Sequence, residues 1–140
     1  NLDIFYIIYI YMNQNIIIFV ILSIIQYSID IYKHPCNTNI GNIYLLIHHF
    51  VSIYLYFGWL LFNPLYHLIV CVIVLLHWVI NKRCELTFMT NKKCGYKEDK
   101  LFYDFQQIII QKEPTLAHRN IHWYLISFLI IYDIYLPSRI

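Results

Sequence analysis

Twenty consecutive uncharged residues, Ile43 to Phe62, are followed by Asn63-Pro64 and then by sixteen more, Leu65 to Ile80. Two such runs, set back to back across a two-residue break, constrain this chain more than any other feature. An α-helix rises about 1.5 Å per residue, so roughly 20 apolar residues cross the ~30 Å hydrocarbon core of a bilayer. Proline disfavours helix in the residue before it and suits the first position of a new one. The runs therefore predict two antiparallel transmembrane helices, at about residues 43–62 and 64–80, joined at Asn63-Pro64.

The flanking sequence extends the pattern. Ile16 to Ile31 is predominantly apolar, uncharged apart from Asp30, and closes on Lys33, His34 and Pro35, which predicts a first span at about residues 15–33. Residues 2–11 are apolar too, but Asn13, Gln14 and Asn15 interrupt them. One helix from Leu2 to Tyr32 would outreach the hydrocarbon, so the early part is expected at the interface or outside the translated protein. The first methionine is Met12, which fits an extended reading frame or a fragment. No Lys or Arg precedes the first run and no small-residue cleavage site follows it, as an anchor rather than a cleaved signal requires. A fourth run, Ile121 to Leu136, carries Asp133 and predicts either a fourth span at about residues 121–137 or an interfacial helix. Composition demands a lipid environment. Hydrophobic residues make up 60% and charged residues 13%, against roughly 45–50% and 25% in ordinary soluble domains. A soluble domain of this length has too little interior to hide that surface. The expected fold is all-α: one polytopic transmembrane bundle of three or four spans with a basic loop at one membrane face.

That loop is residues 81–120. It holds Lys82, Arg83, Lys92, Lys93, Lys97, Lys100, Lys112 and Arg119, which are eight of the ten Lys and Arg, whereas the Asn63-Pro64 turn has none. The positive-inside bias places the loop in the cytoplasm, together with Lys33–Asn42, and leaves the N-terminus outside. Leu101 to Ile110 suits a short amphipathic helix at the surface. Acids interleave with the loop's bases, which favours anionic lipid head groups over nucleic acid.

Histidines supply the candidate chemistry. His49 and His77 stand equally far, about fourteen residues, from the Asn63-Pro64 turn, so antiparallel helices bring them to one depth, ~20 Å from it. His48 is the alternative partner should the helical phase differ. Two neutral imidazoles on facing helices are the ligand set of a six-coordinate haem b, and bundle cores commonly host such cofactors. Non-haem iron or zinc is a variant, with His118 and His122 spaced i,i+4. The same histidines also suit plain packing roles, because polar side chains bind transmembrane helices to one another. Asn81 and Cys84 lie on the same membrane side; His67 and Cys71 stay apart from this group.

Cysteine spacing is open. Cys84 and Cys94 lack the C-x-x-C interval of a zinc ribbon. In a reducing cytosol they remain thiols or occasional metal ligands, as does Cys36; in an oxidising lumen a loop disulfide such as Cys84–Cys94 becomes available. Cys71, at mid-span, reads as a small core residue. Asp30 with Lys33 makes an i,i+3 interfacial pair; Asp133 is a functional candidate if deeply embedded, but it is near enough to its run's end to reach the far interface. No nucleophile elbow, P-loop, dinucleotide fingerprint or selectivity filter is present.

Abundant Ile, Tyr, Asn, Lys and Phe, against three Gly and a single Ala, point to an AT-rich genome. His48-His49-Phe50, Phe57-Gly58-Trp59, His77-Trp78 with Asn81, Cys84 and Leu86-Thr87, then Asn91 and Cys94-Gly95, resemble uncharacterised small multi-pass membrane proteins of giant DNA viruses. They are more distantly similar to a bacterial family of unknown function with a comparable Cys-x-Leu-Thr segment. The resemblance spans residues 43–95 and implies a component of a virion's internal membrane, contacting the capsid through the basic loop. The leading expectation is a non-enzymatic membrane subunit of a larger assembly, without a cofactor, partnered by lipid and other proteins. The rival is a redox subunit binding haem b or a metal through His49, His77 and His48.

Overall fold

The structure is a computed structural model. It describes the backbone of residues 2–81, 83–97, 102 and 116–135, and side chains within residues 14–81, 83–97, 102 and 124–135. The described residues form helices and no strand: α1 (Leu2–Lys33), α2 (Asn39–Leu61), α3 (Pro64–Asn81), α4 (Glu85–Cys94) and α5 (Leu116–Tyr135). Three stretches are long and apolar enough to cross a membrane, namely Gln14–Lys33 within α1, all of α2, and all of α3. The chain is an all-α, multi-pass membrane bundle.

The expected hairpin is present. α2 ends at Phe62, whose N–H is bonded to the Gly58 carbonyl at 2.8 Å, and α3 begins at Pro64. Asn63 spans the gap, its side-chain oxygen accepting from the Leu65 N–H at 2.9 Å and so satisfying one orphan donor of the new helix. Sequence reading broke α1 at Asn13–Asn15, but the helix passes through them for 32 residues. At about 48 Å it exceeds the hydrocarbon thickness. Isolated polar side chains do not break a backbone whose hydrogen bonds are all internal.

α2 is the central element, packed against α1, α3 and α4, while α5 lies chiefly on α3. Phe19 of α1 sets its ring edge-on to Phe50, Tyr54 and Phe62. Leu55, Cys71, Ile126 and Leu129 bury one another where α2, α3 and α5 meet, with Trp59, Val74 and Trp78 around them. The outer faces carry Ile17, Ile21, Ile24 and Ile25 on α1 and Ile69, Ile73, Leu76 and Ile80 on α3. These isoleucines and leucines suit lipid.

α4 was not expected. Residues 85–94 have little apolar periodicity, yet they form a ten-residue helix against α2. Its end is fixed by Gly95 at φ 72°, a left-handed position that favours glycine, and the Tyr96 N–H bonds the Asn91 carbonyl at 2.9 Å. The expected surface helix at residues 101–110 lies outside the described residues, apart from Phe102. The fourth span expected at 121–137 corresponds to α5, whose described apolar side chains run only from Tyr124 to Tyr135.

Candidate functional site

Two buried polar centres lie near opposite ends of the bundle. The first is at the basic face. Asp30, on the last full turn of α1, is completely buried, and its carboxylate joins two imidazoles: His49 Nε2 at 3.1 Å and His34 Nδ1 at 3.3 Å. Beyond the i,i+3 relation to Lys33 expected for Asp30, the two histidine contacts had no counterpart in the sequence reading. A carboxylate deprived of water needs such partners, since an unpaired buried charge is heavily penalised. His49 is itself fully buried and reaches Asp30 across the α1–α2 contact, with Tyr27 edge-on to its ring.

His48, next to it, sets its ring edge-on to that of His49 and has the Phe102 ring 4.7 Å away. Ser52 approaches His48 Nε2 at 3.5 Å. His48 also meets Cys84, the N-cap residue of α4. Burial pushes the Cys84 thiol upward, but hydrogen bonds and charge from His48, with further hydrogen bonds from Thr87, outweigh it and bring the thiol down to about 7. A helix N-terminus acts in the same direction. Tyr96 caps the cluster, donating its hydroxyl to the His34 carbonyl at 2.6 Å. Burial, then the Asp30 charge, raise that phenol to about 12, so it remains a donor across the physiological range.

The two loops on this face are joined covalently. Cys94, at the end of α4, forms a disulfide with Cys36 in the α1–α2 loop, Cα to Cα 4.9 Å across 58 residues of sequence. The partner expected for Cys94 in an oxidising setting was Cys84, which is a free thiol. The reason is geometric: Cys84 and Cys94 occupy opposite ends of one rigid helix, about 15 Å apart, whereas a disulfide needs Cα atoms within roughly 7 Å. Thr38 reinforces the join, accepting from the Gly41 N–H at 3.0 Å and donating to the Lys93 carbonyl at 2.7 Å. Gly41 is confined beneath it, since an added Cβ would collide with both disulfide sulfurs.

The second centre lies one turn from the Asn63-Pro64 end. His67 and Cys71, spaced i,i+4 on α3, face Asp133 of α5, and all three are essentially inaccessible. His67 Nδ1 lies 2.6 Å from Asp133 Oδ2 and Nε2 lies 3.2 Å from the Leu55 carbonyl oxygen. Cys71 Sγ is 3.4 Å from Nε2 and 3.9 Å from Nδ1. Asp133 Oδ1 has no hydrogen-bond partner among the described residues. Gly58 opposite lets the ring fit between the helices, because a Cβ there would stand 2.5 Å from His67 Cδ2.

The expected pairing of His49 with His77 does not form. His77 is exposed, on the same arc of α3 as Ile73, Leu76 and Ile80, and it bonds Asn81 one turn on. Equal distance from the turn sets depth but not azimuth. The helical phase directs His67 and Cys71, rather than His77, toward the interior. With His49 held on Asp30 and His48 against Phe102, neither faces His77 as a haem ligand pair would. The side chains of His118 and His122 lie outside the described residues.

Sequence reading set His67, Cys71 and Asp133 aside one by one. A usable signal was nonetheless present: an i,i+4 His/Cys pair in one apolar run and an acid in another, each expensive to leave unpartnered in lipid. Comparison with family models, with curated proteins and with solved structures finds no match to this chain.

Proposed function

We propose that the chain is a non-enzymatic integral membrane subunit of a larger assembly, and that a rigid basic cap is the surface its partners bind. The observation that carries this reading is the Cys36–Cys94 disulfide. It ties the loop before α2 to the end of α4, and the bonds Thr38 to Lys93 and Tyr96 to His34 close the same seam. Catalytic lids move on their substrates, whereas a cross-linked cap holds one shape, as a docking platform needs.

Its charge fits the role. Lys33, Arg83, Lys92, Lys93 and Lys97 are exposed on the cap, and Glu85, bonded to Arg83 at 3.3 Å, offsets one of them. Cations at this level attract anionic head groups by about 1 kcal/mol each, so some settle the cap on the membrane and the others remain for an acidic partner surface. A disulfide persists where thiols are not kept reduced, which supports an oxidising environment for the cap and weighs against the cytosolic placement that its lysines favour. Resemblance to small membrane proteins of giant DNA viruses supports a virion's internal membrane as the setting, with the cap toward the capsid.

Photo-crosslinking in the native membrane tests the proposal, with a crosslinking amino acid placed at Lys92 or Lys97 and, for comparison, at lipid-facing Ile73. Discrete protein adducts are expected from the cap positions and only lipid adducts from Ile73. Cap positions that yield no protein adduct of defined mass would contradict a docking role.

A further inference from the structure

We infer that His67, Cys71 and Asp133 form a binding site for a divalent transition-metal ion of the zinc type, held inside the bundle near its Asn63-Pro64 end. One ligand atom from each residue, an imidazole nitrogen, a thiol sulfur and a carboxylate oxygen, can be chosen so that all three lie within 4.8 Å of one another. Nitrogen, sulfur and oxygen donors in threes, with a fourth position open, are a ligand set zinc accepts.

The hydrogen-bond pattern strengthens the case. The Leu55 carbonyl can only accept, so His67 Nε2 donates to it at 3.2 Å. A ring held in that way turns its Nδ1 lone pair toward Asp133 Oδ2, 2.6 Å distant. Two lone pairs at that separation repel unless a cation lies between them. A metal ion can be that cation, as can a shared proton. Metal-bound histidines characteristically donate their other N–H to a backbone carbonyl, which fixes the ring and exposes the ligating nitrogen.

A metal held at Nδ1 requires the thiol to turn toward it and the carboxylate to draw back. Zinc bond lengths and a tetrahedral angle place nitrogen and sulfur ligands about 3.5 Å apart and nitrogen and oxygen ligands about 3.3 Å apart. Cys71 Sγ stands 3.9 Å from His67 Nδ1 but only 3.4 Å from Nε2, so the thiol must swing across to the Nδ1 side of the ring, while the Asp133 carboxylate must draw back by less than an ångström. Asp133 Oδ1, buried without a hydrogen bond among the described residues, supplies the second oxygen of a carboxylate that can pivot.

Charge also balances. On binding, Cys71 releases its thiol proton and the His67–Asp133 pair releases the proton it shares. The thiolate and carboxylate then neutralise a divalent ion, with His67 neutral. A site of no net charge is the form that a low-dielectric interior tolerates best. Neither His48, His49 nor His77 takes part.

Cobalt(II) is the probe, because a thiolate ligand gives it a near-ultraviolet charge-transfer band and tetrahedral coordination gives intense visible bands. The full chain, purified in detergent without reductant and stripped with a chelator, is titrated with Co(II). One equivalent is expected to produce both features. They should persist in Cys84→Ser, which removes the other free thiol, and the charge-transfer band should vanish in Cys71→Ser. Gly58→Ala, which crowds the His67 ring while leaving all three ligand residues unsubstituted, should weaken binding. Absence of the thiolate band in the unmodified chain would overturn the site, as would its loss in Cys84→Ser or its survival in a folded Cys71→Ser. Should Cys71→Ser fail to fold, the unmodified and Cys84→Ser chains decide alone.

Discussion

His67 and Asp133 are 66 residues apart in sequence and 2.6 Å apart in the bundle, a fully buried imidazole–carboxylate contact that fastens α5 to α3. Removing one member strands the other in an apolar interior, which costs about 1–3 kcal/mol, whereas replacing both with apolar groups of similar shape is nearly neutral. Asp133→Leu alone should therefore destabilise the metal-free protein more than the pair His67→Phe with Asp133→Leu. Reversible unfolding in mixed detergent micelles measures both.

His49 and His77 should respond oppositely to substitution. His49 is buried on Asp30, so His49→Leu leaves a buried carboxylate short of a partner and should cost about 1–3 kcal/mol. His77 is exposed beside lipid-facing residues, and His77→Leu should change stability by no more than about 0.5 kcal/mol. Equal losses at the two positions would argue for the paired arrangement expected from their depth.

Cys84 should titrate low. Its thiol, brought from 9.0 to about 7 by His48 and Thr87 against the effect of burial, carries more thiolate as pH rises through 7. Only the thiolate is nucleophilic. In a Cys71→Ser background with the disulfide intact, the alkylation rate should rise with a midpoint near 7. His48→Ala should move that midpoint up toward the ordinary value. An unchanged midpoint would remove His48 as the cause.

Gly41 should be intolerant. A Cβ there meets Cys94 Sγ at 2.6 Å and Thr38 Oγ1 at 2.7 Å, in addition to Cys36 Sγ. Gly41→Ala should lower the fraction of chains carrying the disulfide, read by non-reducing mass spectrometry after alkylation. Full oxidation in that variant would show that the seam has slack.

Much of the architecture was legible because membrane helices announce themselves locally. Charge-free length marked α2 and α3, and Asn63-Pro64 marked their turn. The candidate centres were less legible, for physical reasons. Depth along a helix can be counted from a turn, but the facing direction depends on packing, so His77 was matched to His49 when the interior arc of α3 is that of His67 and Cys71. The sequence leaves Asp133 able to reach the far interface, because its partner His67 lies in a distant segment. Cys94 was paired with Cys84 because residues 85–94 gave no sign of the helix that holds the two apart.

The disulfide seam of the cap is the most direct point of test. In a Cys71→Ser, Cys84→Ser chain the remaining thiols are Cys36 and Cys94. Freshly isolated native membranes are denatured in acid, then exposed to a maleimide carrying a large polymer, with and without prior reduction. The expected result is no gel shift before reduction and addition of two polymer chains after it. Modification of both cysteines without reductant would contradict the cross-linked cap, and with it the docking role proposed for this protein.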